Sequence, residues 1–233
     1  MKIFVVIATY NEKDNIIALL NEILKLEIPE FRIIVVDDNS PDGTAALVQK
    51  FNHPAVELIV RRQERGYGSA QIRGFKAALA QGGAVVITMD ADFSHSPLAI
   101  PALIKPLEAG YQVAVGSRRV AGGEIIGWGW FRKLASGTAT ILARVILGLK
   151  THDATSGFRA YQAQALRQLN LAQFHSNGYS FLEELIYHCE KNNFKIKEVP
   201  IIFVDRKHGE SKFSILEIMR FFITLFKLRF KIK

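Results

Sequence analysis

One cysteine, Cys189, stands in a chain of 233 residues. A lone thiol rules out an internal disulfide and suits a cytosolic or cytosol-facing protein. Its plain reading is a core thiol on a helix. Long apolar runs are missing too. Crossing a bilayer takes roughly 20 apolar residues in a row. The best candidate, FSILEIMRFFITLF at 213–226, is broken by Glu217 and Arg220. No leader segment is expected, because Met1 runs straight into the strand-like KIFVVIATY. Repeats and low-complexity tracts are absent. The dinucleotide fingerprint is incomplete: RGYGSA (65–70) carries Gly66 and Gly68 but is followed by Gln71 where a third glycine belongs. It also follows the third strand-like run rather than the first, which excludes a dehydrogenase and leaves a turn that opens a helix. Acids are in deficit, 22 against 30 Lys and Arg, giving a net charge of +8 and an isoelectric point near 9.6. That balance favours an anionic partner: nucleotide, nucleic acid, phosphate or acidic membrane surface.

Hydrophobic residues make up 49% of the chain and charged ones 22%, enough for one α/β domain or a domain with a small appendage. Strand-like runs lie at 2–8, 31–37, 55–60, 83–89 and 111–116. Helical patterns lie between them at 12–26, 42–51, 68–81 and 97–108. This alternation predicts βαβ units and a mainly parallel sheet with flanking helices. Four polar turns then fall at carboxyl ends of strands: ATYNE, DDNSPDGT, MDADFSHSP and GSRRVAGG. Open α/β sheets bind ligands in the crevice outside those ends. Beyond Gly123 the text changes. Residues 128–150 read as a long, mostly apolar helix and THDATSGFRAY (151–161) as a polar loop. A helix at 180–192 follows, then one or two strands in FKIKEVPIIFVDR. The basic end, KLRFKIK, fits a strand or a frayed helix whose cations snorkel.

Asp90 and Asp92, two apart at a strand end, can turn toward one point. Hard divalent cations take oxygen ligands, and nucleotide sites supply one or two carboxylates plus phosphates. Mg²⁺ or Mn²⁺ against a diphosphate is therefore expected at Asp90–Ala91–Asp92. A lone D-x-D is more often a helix cap. The other acidic turns change that balance: Glu12 and the Asp37–Asp38 pair fall on the same sheet edge, where a carboxylate can meet a ribose hydroxyl or a base. Their plainer reading is local, with Asn11 capping the first helix and Asp42 the second. Cations gather at Arg118 and Arg119, at Arg132 four residues before Ser136 on one helix face, and at Arg206, Lys207, His208 and Lys212. The planar fork of arginine suits phosphate oxygens.

The segments TYNE (9–12), VDDNSPDGT (36–44), DADFSHSP (90–97), GSR (116–118), Arg132 with Ser136, TSGFRAY (155–161), GYSF (178–181) and EVPIIFVDRKHGESK (198–212) resemble the dolichol-phosphate mannosyltransferases. These belong to the polyprenyl-phosphate branch of glycosyltransferase family two. The resemblance spans almost the whole chain. It implies the nucleotide-sugar-binding GT-A fold, with Tyr10, Glu12, Val36 and Asp38 on the nucleoside. It puts Asp90, the Ala91 backbone and Asp92 on metal and diphosphate, and Arg118, Arg206 and Lys212 at the nucleotide-sugar phosphates. Arg132 and Ser136, with Arg206, would meet the acceptor phosphate; Asp92, Arg118, Arg132 and Arg206 would carry catalysis. Departures are Ala8, Ala154 and Thr140, and Ser94 where some relatives place a metal-contacting glutamine, which argues against a third protein ligand.

A phosphate monoester, largely dianionic at pH 7, is already a nucleophile and needs no base. An excess of cations without a uniquely placed base fits it better than a sugar hydroxyl. Glu183 and Glu184 are the candidate bases, with a helix surface as their bland reading. The expected reaction is inverting, metal-dependent transfer of mannose from GDP-mannose to a polyprenyl phosphate. Rivals are a UDP-glucose or other UDP-sugar donor, a same-fold transferase acting on a saccharide hydroxyl, and a basic nucleic-acid-binding module. The last leaves the acidic turns unexplained, so no nucleic acid partner is expected. Residues 1–212 form the expected catalytic domain, with 128–150 as an interfacial helix and 213–233 as a basic amphipathic segment. Both would lie on the cytosolic face of a membrane, peripherally, with a small membrane subunit as a possible partner.

Overall fold

A computed structural model describes residues 1–174, 176, 178–206 and the helix Ile215–Phe230, the last with side chains from Phe221 onward. Seven strands form one sheet: β1 (Ile3–Thr9), β2 (Phe31–Asp37), β3 (Val56–Val60), β4 (Val85–Met89), β5 (Val113–Ser117), β7 (Arg159–Gln162) and β8 (Ile196–Pro200). Their order is β3-β2-β1-β4-β7-β5-β8. All pairings are parallel except those of β7 with β4 and β5. Two short strands, β6 (Glu124–Ile126) and β9 (Ile202–Val204), pair in parallel beside the sheet's carboxyl edge.

The central strands read as unbroken apolar runs because both faces are covered. Side chains alternate between them. Ile3, Val5 and Ile7 meet Leu19, Leu20 and Ile23 of α1 (Ile16–Leu24) and Leu103 of α4 (Ile100–Glu108). Phe4 and Val6 meet the opposite core, with Phe75 and Ala78 of α3 (Tyr67–Ala80), Leu166 of α6 (Ala163–Gln168) and Leu185 and Cys189 of α7 (Phe181–Lys191). Cys189 is thus the buried helical thiol expected. The second helix, α2 (Thr44–Phe51), lies beside α1. The long helix is α5 (Trp130–Leu147), and α8 (Ile215–Phe230) packs on α5 and α7. Leu225 of α8 is fully buried in that second core, and Tyr187 donates to the Leu228 carbonyl at 3.2 Å. The helical alternative therefore holds through Phe230.

Two expectations need correction. Residues 151–161 are not all loop: their last three residues open β7, in the middle of the sheet. Arg159 disguised it. The guanidinium is fully buried, with its charge solvated by the carbonyls of Leu182 at 2.8 Å and Ala154 at 2.6 Å. Nor does Asn11 cap α1. It sits at φ 59°, and the helix begins only at Ile16 after a turn, with Asn15 as its N-cap.

Candidate active site

Met89 ends β4, and Asp90, Ala91 and Asp92 follow it into the crevice. Neither acid caps a helix: the next turn, Pro97–Ala99, has Ser96 at its N-cap. Asp92 Oδ1 accepts from the Ser94 amide at 3.0 Å and from the Ser94 hydroxyl. Its Oδ2 lies 3.4 Å from Arg206 Nη2. Asp90 Oδ1 accepts from the Tyr67 hydroxyl at 3.3 Å, and Tyr67 stacks on Tyr179 at 5.1 Å. Burial keeps the Tyr67 phenol protonated. Gly157 closes the far side. A β-carbon there would come within 2.9 Å of the Tyr67 hydroxyl and 3.0 and 3.2 Å of the two Asp90 oxygens, so any larger residue would have to displace that hydrogen-bonded pair.

Burial, and then the like charge of Asp92, push Asp90 up to about 7, against Tyr67, Arg118 and Arg206, which pull it down. Two carboxylates that repel each other at one strand end are unfavourable unless a cation compensates them. The donor set suits a hard divalent ion, with two carboxylates from the protein and the remaining oxygens from a diphosphate. Among the described residues no cluster of three or more His, Cys, Asp or Glu side chains is arranged to hold a metal. His95 offers no further ligand charge. Stacked on Phe158 at 5.1 Å, it is depressed to about 4, mainly by burial, and stays neutral.

The cations are held, not waving. Arg118 gives Asp153 a two-nitrogen grip, Nε to Oδ2 at 2.8 Å and Nη2 to Oδ1 at 2.7 Å, with its own amide at 2.9 Å. Burial works against both charges, yet the pair wins: Asp153 is lowered to about 2 by Arg118, and Arg118 is raised by Asp153. Arg132 reaches Asp205. Ser136, one turn on, accepts from Arg119 Nη2 at 2.9 Å. Lys207, His208 and Lys212 lie outside the described residues.

Toward β2, the acidic turns are tied into one edge. Asp37 is fully buried and accepts from Thr9 Oγ1 at 2.8 Å and from the Ser40 amide and hydroxyl. It stabilises the turn and faces no ligand space. Asp38 accepts from Arg61 and from the Gly66 amide at 2.8 Å. Arg61 also binds Ser69 and the Gly66 carbonyl, so this buried pair fixes the turn that delivers Tyr67. Glu12 accepts from Asn15 Nδ2 at 3.0 Å, and Arg65 sits over the Tyr10 ring at 5.3 Å. Val36 is fully buried in the core, so its side chain is not offered to a ligand. Asp42 accepts from the Thr44 amide and hydroxyl at the start of α2, as a cap would.

Tyr67, Asp153, Gly157 and Asp205 carry this geometry without a role assigned from sequence, although Gly157 and Asp205 lie inside the quoted TSGFRAY and EVPIIFVDRKHGESK segments.

Glu183 and Glu184 are not surface residues: only 4% and 3% of each is exposed. Burial pushes Glu183 up to about 8, which keeps it protonated at neutral pH. The unfolded group ionises near 4.5, so its contribution to stability is whole below that value and lost as pH rises toward 8. Glu183→Gln is expected to flatten the fall in Tm between pH 5 and pH 8.5, by a few kcal/mol in ΔG. Parallel melts of the two proteins across that range check it; identical slopes would count against a protonated Glu183.

Residues 4–169 match the model of the family described as "Glycosyl transferase family 2". The chain belongs to this family. It is a glycosyltransferase. It is 38% identical over 213 residues to a polyprenol monophosphomannose synthase of Mycolicibacterium smegmatis, covering 90% of this chain and 80% of that protein. It is also 38% identical over 216 residues to an undecaprenyl-phosphate mannosyltransferase of Micrococcus luteus, covering 92% and 88%. In fold it is similar to glucosyl-3-phosphoglycerate synthase of Mycobacterium tuberculosis, crystallised with Mn²⁺ and UDP. The TM-score is 0.73, at 22% identity over 97% of this chain and 79% of that one. This likeness bears out the GT-A architecture.

Proposed function

We propose that the glycosyltransferase moves mannose from GDP-mannose to a polyprenyl phosphate with inversion, using Mg²⁺ or Mn²⁺ at Asp90 and Asp92. The carrying observation is the Asp90–Asp92 pair at the end of β4, half-buried and buried in turn, with Arg206 on Asp92 and Arg118 lowering the Asp90 pKa electrostatically. Two relatives named for polyprenol-linked mannose support the acceptor and the sugar. Structures of the fold neighbour with Mn²⁺ or Mg²⁺ support the ion. When bound, the ion would neutralise the diphosphate and stabilise its departure.

The protein's own task is to bring two anions together. Their repulsion at about 4–6 Å is several kcal/mol at an effective dielectric near 20. Arg118, Arg206 and Lys212 would hold the donor phosphates; Arg132 and Ser136, with Arg206, the acceptor phosphate; and Tyr10, Glu12, Asp38 and the main chain at Val36 the nucleoside. A phosphate oxygen attacks the anomeric carbon, the bond to the diphosphate breaks, and GDP leaves with the electron pair. No proton has to be removed from the nucleophile. This fits a site where Glu183 is buried and protonated.

The acceptor's chain is lipid, and α5 and α8 suit a membrane surface. Trp130, Phe131, Leu134 and Val145 on α5 and Ile223, Phe226 and Phe230 on α8 are exposed apolar side chains, with Lys227 and Arg229 in the last turn of α8. Such helices lie in the interfacial plane with cations toward anionic headgroups. Among the described residues no helix is long and apolar enough to cross a membrane. We therefore read the protein as a peripheral enzyme of the cytosolic membrane face. Residues 1–212 are the catalytic domain and 213–233 a membrane-contacting segment, with room for a small membrane subunit.

The test offers GDP-mannose, UDP-glucose and other nucleotide sugars, with Mg²⁺ or Mn²⁺, to polyprenyl phosphate in detergent. Lipid-linked mannose from GDP-mannose is expected. Product only from a UDP-sugar would move the donor assignment; no lipid-linked product from any donor would end the proposal.

A further inference from the structure

Arg132 is presented by a cage that the reaction as described above does not use. The small β6–β9 sheet builds it. Ile126 pairs with Val204 at the ends of the two strands, and the Asp205 amide donates to the Ile126 carbonyl at 2.9 Å. Gly127 lets the chains come this close: at φ 89°, it would put a β-carbon 2.9 Å from Asp205 Cβ. Trp128 and Asp205 therefore emerge side by side. The Trp128 indole N–H donates to Asp205 Oδ1 at 3.2 Å, and its ring packs on Phe203 at 5.3 Å. Arg132, one helical turn into α5, lays its guanidinium over the Trp128 ring at 4.1 Å. It gives a single nitrogen, Nη1, to both Asp205 oxygens at 3.0 Å.

This is an end-on grip. Three of the five guanidinium N–H groups, on Nε and Nη2, donate to no protein atom among the described residues. The Nε–Nη2 edge is the fork that binds two phosphate oxygens in parallel. The indole face fixes the plane of the group, and Asp205 fixes its rotation within that plane. Half-exposed arginines otherwise sample many rotamers, and ordering one on binding lowers affinity. Asp205 also precedes Arg206, the partner of Asp92, so one dipeptide serves the two sides of the crevice.

We propose that Trp128 and Asp205 are positioning residues that preset Arg132, so that its Nε–Nη2 edge meets the acceptor's phosphate monoester. The inference rests on the reading of Arg132 as an acceptor-phosphate group, and the experiment separates the two. Steady-state kinetics with a short-chain polyprenyl phosphate in detergent, at saturating donor, are compared for Arg132→Ala, Asp205→Asn, Trp128→Leu and Trp128→Phe. Asp205→Asn and Trp128→Leu raise the acceptor KM about tenfold, with kcat and donor KM within about threefold. Trp128→Phe, which keeps an aromatic face, stays within about threefold of wild type in all three. A second readout does not depend on turnover. Trp128 and Trp130 are the two tryptophans, so in a Trp130→Phe background Trp128 is the sole indole. Its fluorescence should respond to the polyprenyl phosphate, and Arg132→Ala should abolish that response. A raised acceptor KM in Arg132→Ala with unchanged values in both Asp205→Asn and Trp128→Leu overturns the positioning role alone. An unmoved acceptor KM in Arg132→Ala overturns the parent reading and this one with it. Equal losses on donor and acceptor sides, accompanied by a lowered Tm, mean a structural role and also overturn it.

Discussion

Asp92→Asn is expected to lower glycosyl transfer by roughly a hundred- to a thousandfold, the range seen when one fixed group that stabilises developing charge is removed. The substitution is nearly isosteric, and its side-chain oxygen can still accept from the Ser94 amide that now holds Asp92 Oδ1. The turn should therefore survive. Half of the carboxylate pair's charge does not. Burial keeps Asp90 poorly ionised, and Asp92 adds to that effect. Removing the second charge should make Asp90 a more acidic but solitary ligand, too weak to hold a divalent ion against water. Stability should not fall alongside activity, because a like-charge repulsion is relieved as the 3.4 Å contact with Arg206 is weakened. Two measurements decide it: transfer of labelled sugar with Mg²⁺ or Mn²⁺ across a concentration series, and Mn²⁺ binding in the presence of GDP followed by the resonance of the free ion. Activity within a few-fold of wild type, insensitive to chelator, would remove the metal from the account.

Much of this site was legible as text because sheet proteins place ligands where strands end, and strand ends are marked by abrupt changes in polarity. The runs before Asp37, Asp90 and Ser117 announce β2, β4 and β5, and the structure puts those strands within two residues of the reading. The edge that gathers the acids follows from topology alone. What stayed hidden is chemistry that masks itself as something else. Arg159 looks like loop because a charged side chain is unexpected in a central strand, yet it finds a carbonyl in the first turn of α7 and another in the loop before β7. Glu183 and Glu184 look like solvent-facing residues of a helix, but the fold buries both, with Glu183 within the field of Arg159, Asp153 and Arg118. Asp37 and Asp38, adjacent in sequence, look equivalent. Alternation sends the first to Ser40 and Thr9 and the second to Arg61 and Gly66. Partners 23 to 77 residues apart, such as Arg61 with Asp38, Arg118 with Asp153, and Trp128 with Asp205, leave no periodic trace to read.

Asp153→Ala should be among the most destabilising single changes in the chain. Arg118 and Asp153 expose 6% and 0% of their side chains, and the carboxylate accepts three bonds from Arg118 and one from Thr155 Oγ1 at 3.1 Å. Truncation strands a buried guanidinium, which costs about 3–5 kcal/mol, a large part of a typical folding free energy of about 5–15 kcal/mol. For a chain of this size each kcal/mol moves Tm by roughly 2–4 °C, so a drop of roughly 6–20 °C is expected. Asp153→Asn keeps the shape and should fall between. The pH dependence gives a sharper discriminant. Because Arg118 holds Asp153 at about 2 against an ordinary 3.8, the ionic part of its contribution is whole above pH 4 and vanishes as pH falls through 2. Wild type and Asp153→Asn should therefore differ by a constant Tm gap from pH 7 to pH 5, and the gap should narrow only below pH 4. A gap that stays constant down to pH 2 would mean that Asp153 has the same pKa folded and unfolded, as a surface acid does. Arg118 would then not be fixed in place, since the carboxylate that neutralises this arginine also grips its guanidinium through two nitrogens.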